Sequence, residues 1–301
     1  LRGLSVTLQD RELRLIEPAL TRARGLFEKR LPTPAERAAA LQRLQPDVEG
    51  AGIDDADLVI EAIFEDLAAK QALFGAAELR LHAGAVLATN TSSLTLESIA
   101  QPLREPSRLL GLHFFSPAHV MRLVEVVRTR RLWPEALATA LATVQRLHKQ
   151  RVVTGVCDGF IGNRILGKWR AQAEYALEDT ATPQQVESAL EAYGMAMGIF
   201  AVFDLAGLDA FLEALQRPGL DGLGVAKAAE GAGRVLLAVG AAGGQLGAAA
   251  EAEVVAFRIA DRPAARVRAQ LQDARGRQQV LLGALQAGRD VGGGGRLAGR
   301  P

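Results

Sequence analysis

The sequence predicts an α/β fold, a doubly wound parallel sheet covered by helices and followed by an α-helical domain. Three observations predict it. Short β-rich apolar runs alternate with amphipathic helical stretches over the first two-thirds of the chain. From Asp158 onward only helical stretches follow. Polar residues sit at or beside the ends of the apolar runs, where a doubly wound sheet binds its ligands.

Ser5–Asp10 (SVTLQD) reads as a strand ending in a carboxylate. Arg11–Arg30 places Leu13, Ile16, Leu20 and Leu26-Phe27 at helical spacing, with Pro18 a candidate kink. A polar connection leads to Asp57–Ile63 (DLVIEAI), a buried-type strand, then to the amphipathic helix Asp66–Leu81 and the strand Val86–Thr91. A short helix near Leu94–Ala100 precedes two apolar runs, Leu109–Phe115 and Leu123–Thr129. Pro134–Gln150 opens on a proline suited to a first helical turn, and Arg151–Val156 reads as the last strand. Gly159–Asp179 and Pro183–Tyr193 are helical and begin the second domain. The expected organisation is a nucleotide-binding-type domain over 1–156, the start of an α-helical domain over 157–214, and a Gly/Ala/Arg-rich tail over 215–301. More than half of all glycines lie in that tail, so it is expected to be weakly structured or frame-shifted.

The 301 residues suffice for two cores, and 49% hydrophobic with 23% charged residues is a globular composition. A net charge of +1 makes no electrostatic case for nucleic acid or an anionic membrane. No apolar run approaches the roughly 18 residues a membrane helix needs. Cys157 is the single cysteine, which excludes an intrachain disulfide or a thiolate zinc cluster and suits a reducing compartment, so the cytoplasm is expected and no metal. Leu1-Arg2-Gly3 lacks a secretory h-region and an initiating Met, and reads as a cut through a longer polypeptide.

His113 lies in the apolar strand LLGLHFF, where an imidazole is either a satisfied core residue or a base near neutral pH. Glu125, mid-strand in LVEVV, sharpens the choice, because a buried carboxylate is costly unless paired. A histidine on the neighbouring strand would pair it; exposure on an edge strand is the alternative. Asn90-Thr91-Ser92-Ser93 follows a strand and either holds a substrate oxygen or caps the next helix, Ser93 being the better capping candidate. Asn163 lies in CDGFIGNR just after Gly159 and Gly162, which permit close backbone approach; an ordinary helix residue facing solvent is the alternative. Asp10 at a strand end is either a helix cap or, in a dinucleotide fold, a ribose-binding acid. Val235–Gly247 imitates a nucleotide loop, but its spacing (Gly240, Gly243, Gly244, Gly247) is not GxGxxG.

DLVIEAIFEDLAAKQALF, LATNTSSL, GLHFFSPAHVMRLVEVV, CDGFIGNR and MAMGIFAVFDLAGLD occur in this order over roughly Leu1–Phe211. Together they resemble the NAD-dependent 3-hydroxyacyl-CoA dehydrogenases, including the dehydrogenase part of bacterial multifunctional fatty-acid oxidation enzymes. The resemblance implies a truncated Rossmann-like sheet lacking its first strand and glycine loop. It implies His113 as catalytic base, Glu125 as its partner, and Ser92 and Asn163 as holders of the substrate oxygen. It implies NAD contacts at Asp10, Glu65, Lys70, Ser92 and Ser116, an acyl-CoA substrate of fatty-acid β-oxidation, and a homodimer through the helical domain. A dehydrogenase of small hydroxy acids and a non-catalytic remnant or interaction module of the same fold are the competing expectations.

Overall fold

The computed structural model describes residues 2–206 and 253–258. The decoy at Val235–Gly247 and the glycine-rich close of the chain lie outside these residues. In chain order the sheet strands are β1 (Ser5–Gln9), β2 (Leu44–Asp47), β3 (Leu58–Ala62), β4 (Val86–Thr89), β5 (Leu109–Phe114), β6 (Leu123–Arg128), β7 (Gln150–Gly155) and β8 (Glu253–Arg258). The helices are α1 (Leu13–Arg30), α2 (Pro34–Gln42), α3 (Leu67–Glu78), α4 (Leu96–Ala100), α5 (Pro134–Arg146), α6 (Gly162–Glu178), α7 (Pro183–Tyr193) and α8 (Ile199–Ala206).

Eight strands form one sheet in the order β2-β1-β8-β3-β4-β5-β6-β7. The pairs β1/β2, β3/β4, β4/β5 and β6/β7 are parallel. The expectation of a parallel sheet holds for most of it, with two departures. β6 runs antiparallel to β5, and β8 runs antiparallel to both β1 and β3. β8 comes from the segment expected to be weakly structured, yet it pairs on both sides at the centre of the sheet.

Side chains alternate across the sheet, and each set has its own helices. Val59, Leu87 and Leu109 pack with Phe74, Ala77 and Leu81 of the α3 region and with Ile99 of α4. Leu58, Ile60, Val86, Ala88, Leu110, Leu112, Val124 and Val126 pack against Ala136, Ala140 and Val144 of α5. Leu4, Val6, Leu8 and Leu44 meet Ile16 and Leu20 of α1. β3, β4 and β5 are buried on both faces, as helix-covered strands are, whereas β1 buries one face and β2 is largely exposed. α1 runs through Pro18; one missing N–H costs less than the apolar face secures.

Two elements arise where only a polar connection was expected. α2 carries a complete capping box, in which Thr33 accepts from the Glu36 N–H and Glu36 accepts from the Thr33 N–H, with Pro34 at the first position. That T-P-x-E signal was present in the sequence. β2 (LQPD) has a strand-breaking proline and polar residues, and only its outer position beside β1 makes it a strand. Thr33→Ala should lower stability by about 1 kcal/mol in a urea unfolding curve with an unchanged m-value.

Candidate active site

The alternation that places Leu110 and Leu112 against α5 turns His113 to the opposite face of β5. Glu125 does the same on β6, between Val124 and Val126. The β5/β6 register sets His113 directly across from Glu125, a geometry that requires the antiparallel turn of β6. Imidazole Nδ1 lies 2.7 Å from Glu125 Oε2, with His113 5% and Glu125 0% exposed. The other oxygen, Oε1, accepts from the backbone N–H groups of Ile161 (2.9 Å) and Gly162 (2.8 Å) at the start of α6. These amides have no partner inside the helix, so the carboxylate satisfies them and they satisfy it. A carboxylate accepts, so Nδ1 donates to it, and in the neutral ring this leaves Nε2 as the acceptor nitrogen. The Phe115 and Phe160 rings wall the imidazole at centroid distances of 4.6 and 5.6 Å. Gly162 permits this approach, since a Cβ there would stand 2.6 Å from Phe115 Cζ. Gly159, with φ of +66°, adopts the left-handed turn that leads into α6. Glu125 is therefore the buried partner, not an exposed edge residue.

A second polar cluster lies on the same face, at the ends of β3 and β4. Glu61, fully buried in LVIEA, accepts from Lys70 Nζ (2.5 Å), the Ile63 N–H (2.7 Å) and Thr89 Oγ1 (2.7 Å). Lys70, 1% exposed, also donates to the Ile63 carbonyl at 3.0 Å and stands 3.3 Å from Glu65 Oε2. Its three ammonium protons are thereby used. Glu65 in turn accepts from the hydroxyls of Thr91 and Ser93 and from the Ser92 and Ser93 N–H groups, at 3.3 and 3.1 Å. Burial works against charge on Glu65, but the hydrogen bonds from Ser93 and Thr91 and the Lys70 ammonium outweigh it, and its pKa is lowered.

This geometry corrects the expectation for Ser93. Its hydroxyl faces Glu65, while Thr95 takes the N-cap position of α4. Glu61 was missed, although a carboxylate inside an apolar strand is the same signal that singled out Glu125. Asn90 joins the two clusters: its N–H donates to the Glu61 carbonyl, and its Oδ1 accepts from the Phe114 N–H at 2.9 Å.

Of the expected site residues, His113 and Glu125 are in contact, and Glu65, Lys70 and Ser92 meet in the second cluster. Asn163 is the second residue of α6, next to the Gly162 amide that holds Glu125. Ser116 is exposed, three residues beyond His113. Asp10 stands apart, beyond β1, where it accepts from the Arg11 N–H at 2.6 Å and is not the cap of α1, whose N-cap is Glu12. Cys157 is half-buried beside the Phe160 carbonyl. Among the described residues no three metal-type side chains converge, and no helix is long and apolar enough to cross a membrane.

Residues 1–157 match the family model for the 3-hydroxyacyl-CoA dehydrogenase NAD binding domain, and residues 159–256 match that of the C-terminal domain. The chain belongs to the 3-hydroxyacyl-CoA dehydrogenase family. The match runs past Phe211, where the family motifs in the sequence stop. Among curated relatives, the peroxisomal bifunctional enzyme of Danio rerio is 40% identical over 223 residues, 73% of this chain and 30% of that protein. The fatty acid oxidation complex subunit alpha of Acinetobacter baylyi is 31% identical over 212 residues, 69% of this chain and 30% of that one. The chain thus spans about 30% of the length of these relatives. The crystal structure of FadB2 from M. tuberculosis is 34% identical with a TM-score of 0.66, covering 69% of this chain and 76% of that one. The 3-hydroxybutyryl-CoA dehydrogenase of Escherichia coli K12 is 33% identical, also at 0.66, covering 69% and 46%.

NAD is the cofactor of this family's N-terminal domain. The described residues fit it unevenly. Acceptors and hydroxyls stand at the ends of β3 and β4 and a carboxylate at the end of β1, all at one edge of the sheet. Between them β8 enters the sheet, where a dinucleotide fold needs a strand leaving it into a glycine turn. The pyrophosphate position therefore does not fit with β8 in place.

Lys70→Met should cost about 3–5 kcal/mol in urea unfolding by stranding the Glu61 carboxylate, and adding Glu61→Gln should recover much of it. The Glu65 pKa has its own signature. A carboxyl with a lowered folded pKa contributes stability that is present above its unfolded pKa and lost as pH falls through the folded one. The stability gap between wild type and Ser93→Ala should accordingly be full at neutral pH and shrink in acid, read by thermal melts across pH.

Proposed function

We propose that this chain carries the site for oxidising a (3S)-hydroxyacyl-CoA to the 3-ketoacyl-CoA, the dehydrogenation of fatty-acid β-oxidation. The observation that carries the reading is the buried His113–Glu125 pair, whose carboxylate is clamped by the first amides of α6. Oxidising a secondary alcohol removes a proton from oxygen and a hydride from carbon. His113 Nε2 takes the proton of the 3-hydroxyl. Glu125 holds the ring in the tautomer that leaves Nε2 free to accept and stabilises the imidazolium that results. Ser92 and Asn163 are the proposed holders of the substrate oxygen; one precedes Ser93 at the end of β4 and the other begins α6. NAD, when bound, would supply the hydride acceptor; Asp10, Glu65, Lys70, Ser92 and Ser116 are its proposed contacts, Asp10 for the ribose and Ser116 beside the nicotinamide. The proposed compartment is the cytoplasm, in keeping with the single cysteine, and the proposed assembly is a homodimer through the helical domain.

A second reading, a non-catalytic module of the same fold, has one observation in its favour: β8 fills the slot beside the cofactor position. NAD titration of the chain separates the two. A (3S)-hydroxyacyl-CoA series against a small hydroxy acid tests the substrate class. In a chain supplied with the strand and glycine turn of a dinucleotide fold, His113→Ala should lower kcat by about 10²–10⁴-fold with NAD affinity unchanged, followed by NADH absorbance and by titration. Full turnover in that variant would remove His113 from the mechanism.

A further inference from the structure

The two outer strands of the sheet are unlike. β2, at one end, is four residues long and carries Pro46 and Asp47, which guard an edge against a further strand. β7, at the other end, is six residues long (QRVVTG), pairs with β6 in an unbroken register and holds no proline. Arg151 is its one charge. Val152 is 40% and Val153 43% exposed, and they point to opposite faces, so the strand is open on both. Among the described residues no strand lies beyond it. Such an edge is a template for another strand, and natural sheets usually blunt it.

The hydrogen-bond phase of β7 is set by the Gln150 N–H, which donates to the Arg122 carbonyl at 2.8 Å. Gln150, Val152 and Thr154 therefore turn their backbone groups to β6. Arg151, Val153 and Gly155 turn theirs to the open edge. The Gly155 carbonyl also accepts from the Thr154 hydroxyl at 3.2 Å, and its second lone pair remains for a partner.

We infer that this edge pairs antiparallel with β7 of a second copy of the chain, about a two-fold axis at Val153, so that two sheets run on as one. A two-fold axis normal to a sheet keeps each side chain on its own face, so the pairing must centre on a residue. At Val153 the two copies form a hydrogen-bonded pair that exchanges both N–H···O=C bonds. Arg151 then lies across from Gly155, where the place of the missing Cβ has no atom within 4 Å, so the guanidinium stem has room. On the other face Val152 stands across from Thr154, two β-branched side chains at the closer, non-hydrogen-bonded spacing. The two Arg151 side chains are four residues apart along the ladder, about 13 Å and beyond the ~8 Å Debye length. A centre at Val152 would bring them to a diagonal of roughly 7–8 Å, and a centre at Thr154 would shorten the ladder. Charge and overlap therefore select Val153. The paired surface is small, so the expected Kd is on the order of 10–100 µM. The inference does not rest on the dehydrogenase reading, and its surface is not that of the helical domain.

The test is sedimentation equilibrium of the 301-residue chain from about 1 to about 500 µM, a range that brackets the expected Kd. Wild type should show an association step there. Val153→Lys sets two ammonium groups across the axis, and Val153→Pro removes the outward N–H while leaving the bonds to β6. Each should weaken the step at least about tenfold, and Val153→Ile should keep it. Val153→Cys should give a disulfide-linked dimer on mild oxidation, because a hydrogen-bonded pair sets the Cα atoms about 5.5 Å apart. Wild type, with Cys157 alone, should not. Should the Lys and Pro variants unfold, hydrogen exchange on wild type decides. The amides of Arg151, Val153 and Gly155 should slow at least about threefold across the concentration range, and those of Val152 and Thr154 should not change. Exchange at Arg151, Val153 and Gly155 that is slow at every concentration means the chain's own residues cover the edge, and it overturns the inference. So does an association step that Val153→Lys leaves intact, which belongs to another surface, and so does the absence of any step.

Discussion

A carboxylate with no contact to water is tolerable only when its lone pairs are filled, and Glu125 meets that condition from two directions at once. His113 takes one oxygen and the first amides of α6 take the other. Each party needs the rest. The amides are orphans of helix geometry, the imidazole is buried among aromatic rings, and the carboxylate would be untenable alone. The arrangement locks the start of α6 onto the sheet beside the imidazole. The orientation of the imidazole and the attachment of α6 rest on one side chain.

The same physics recurs at Glu61, where Lys70, Thr89 and the Ile63 amide surround a second buried carboxylate. Its consequence runs through Glu65. Lys70 spends its protons on Glu61, the Ile63 carbonyl and Glu65, and Glu65 gathers the hydroxyls and amides of the Thr91–Ser93 turn. Ser92 is thereby held at the end of β4 by its backbone N–H on Glu65. Asn90 carries the alignment across to β5 and so to His113. Two buried carboxylate clusters, each costly in isolation, set the relative position of the groups around the proposed site.

The centre of the sheet is decided differently. Edges left unpaired between β1 and β3 would bury a row of unsatisfied N–H and C=O groups, and β8 removes that cost from either direction of travel. Backbone pairing does not distinguish the two directions strongly, since antiparallel ladders are slightly the more stable per residue. What direction does decide is which chain end faces the ligand edge. A sheet can thus be completed while the phosphate cradle is not.

Much of this was legible in the residues themselves. The alternation of apolar strands and amphipathic helices marked β1 and β3–β7, and the helical run after Asp158 marked α6 and α7, because periods of 2 and 3.6 leave different traces. A glutamate and a histidine in apolar strands pointed to a buried pair, since a lone carboxylate is costly there, with an exposed edge glutamate as the alternative the fold removes. Three things waited for the tertiary structure. β2 is a strand only because β1 lies beside it; its own residues argue against it. Ser93 reads as a cap until Glu65, 28 residues away in sequence, is seen to claim its hydroxyl. β8 draws its place wholly from a gap formed by strands some two hundred residues earlier, and its own segment carries a composition that predicts little order. The sequence by itself determined the family, the sheet-and-helix order and the chemistry of the pair, because these depend on local pattern. Strand direction, the α6 clamp and the occupant of the central gap depend on contacts between distant segments, and only the folded chain decides those.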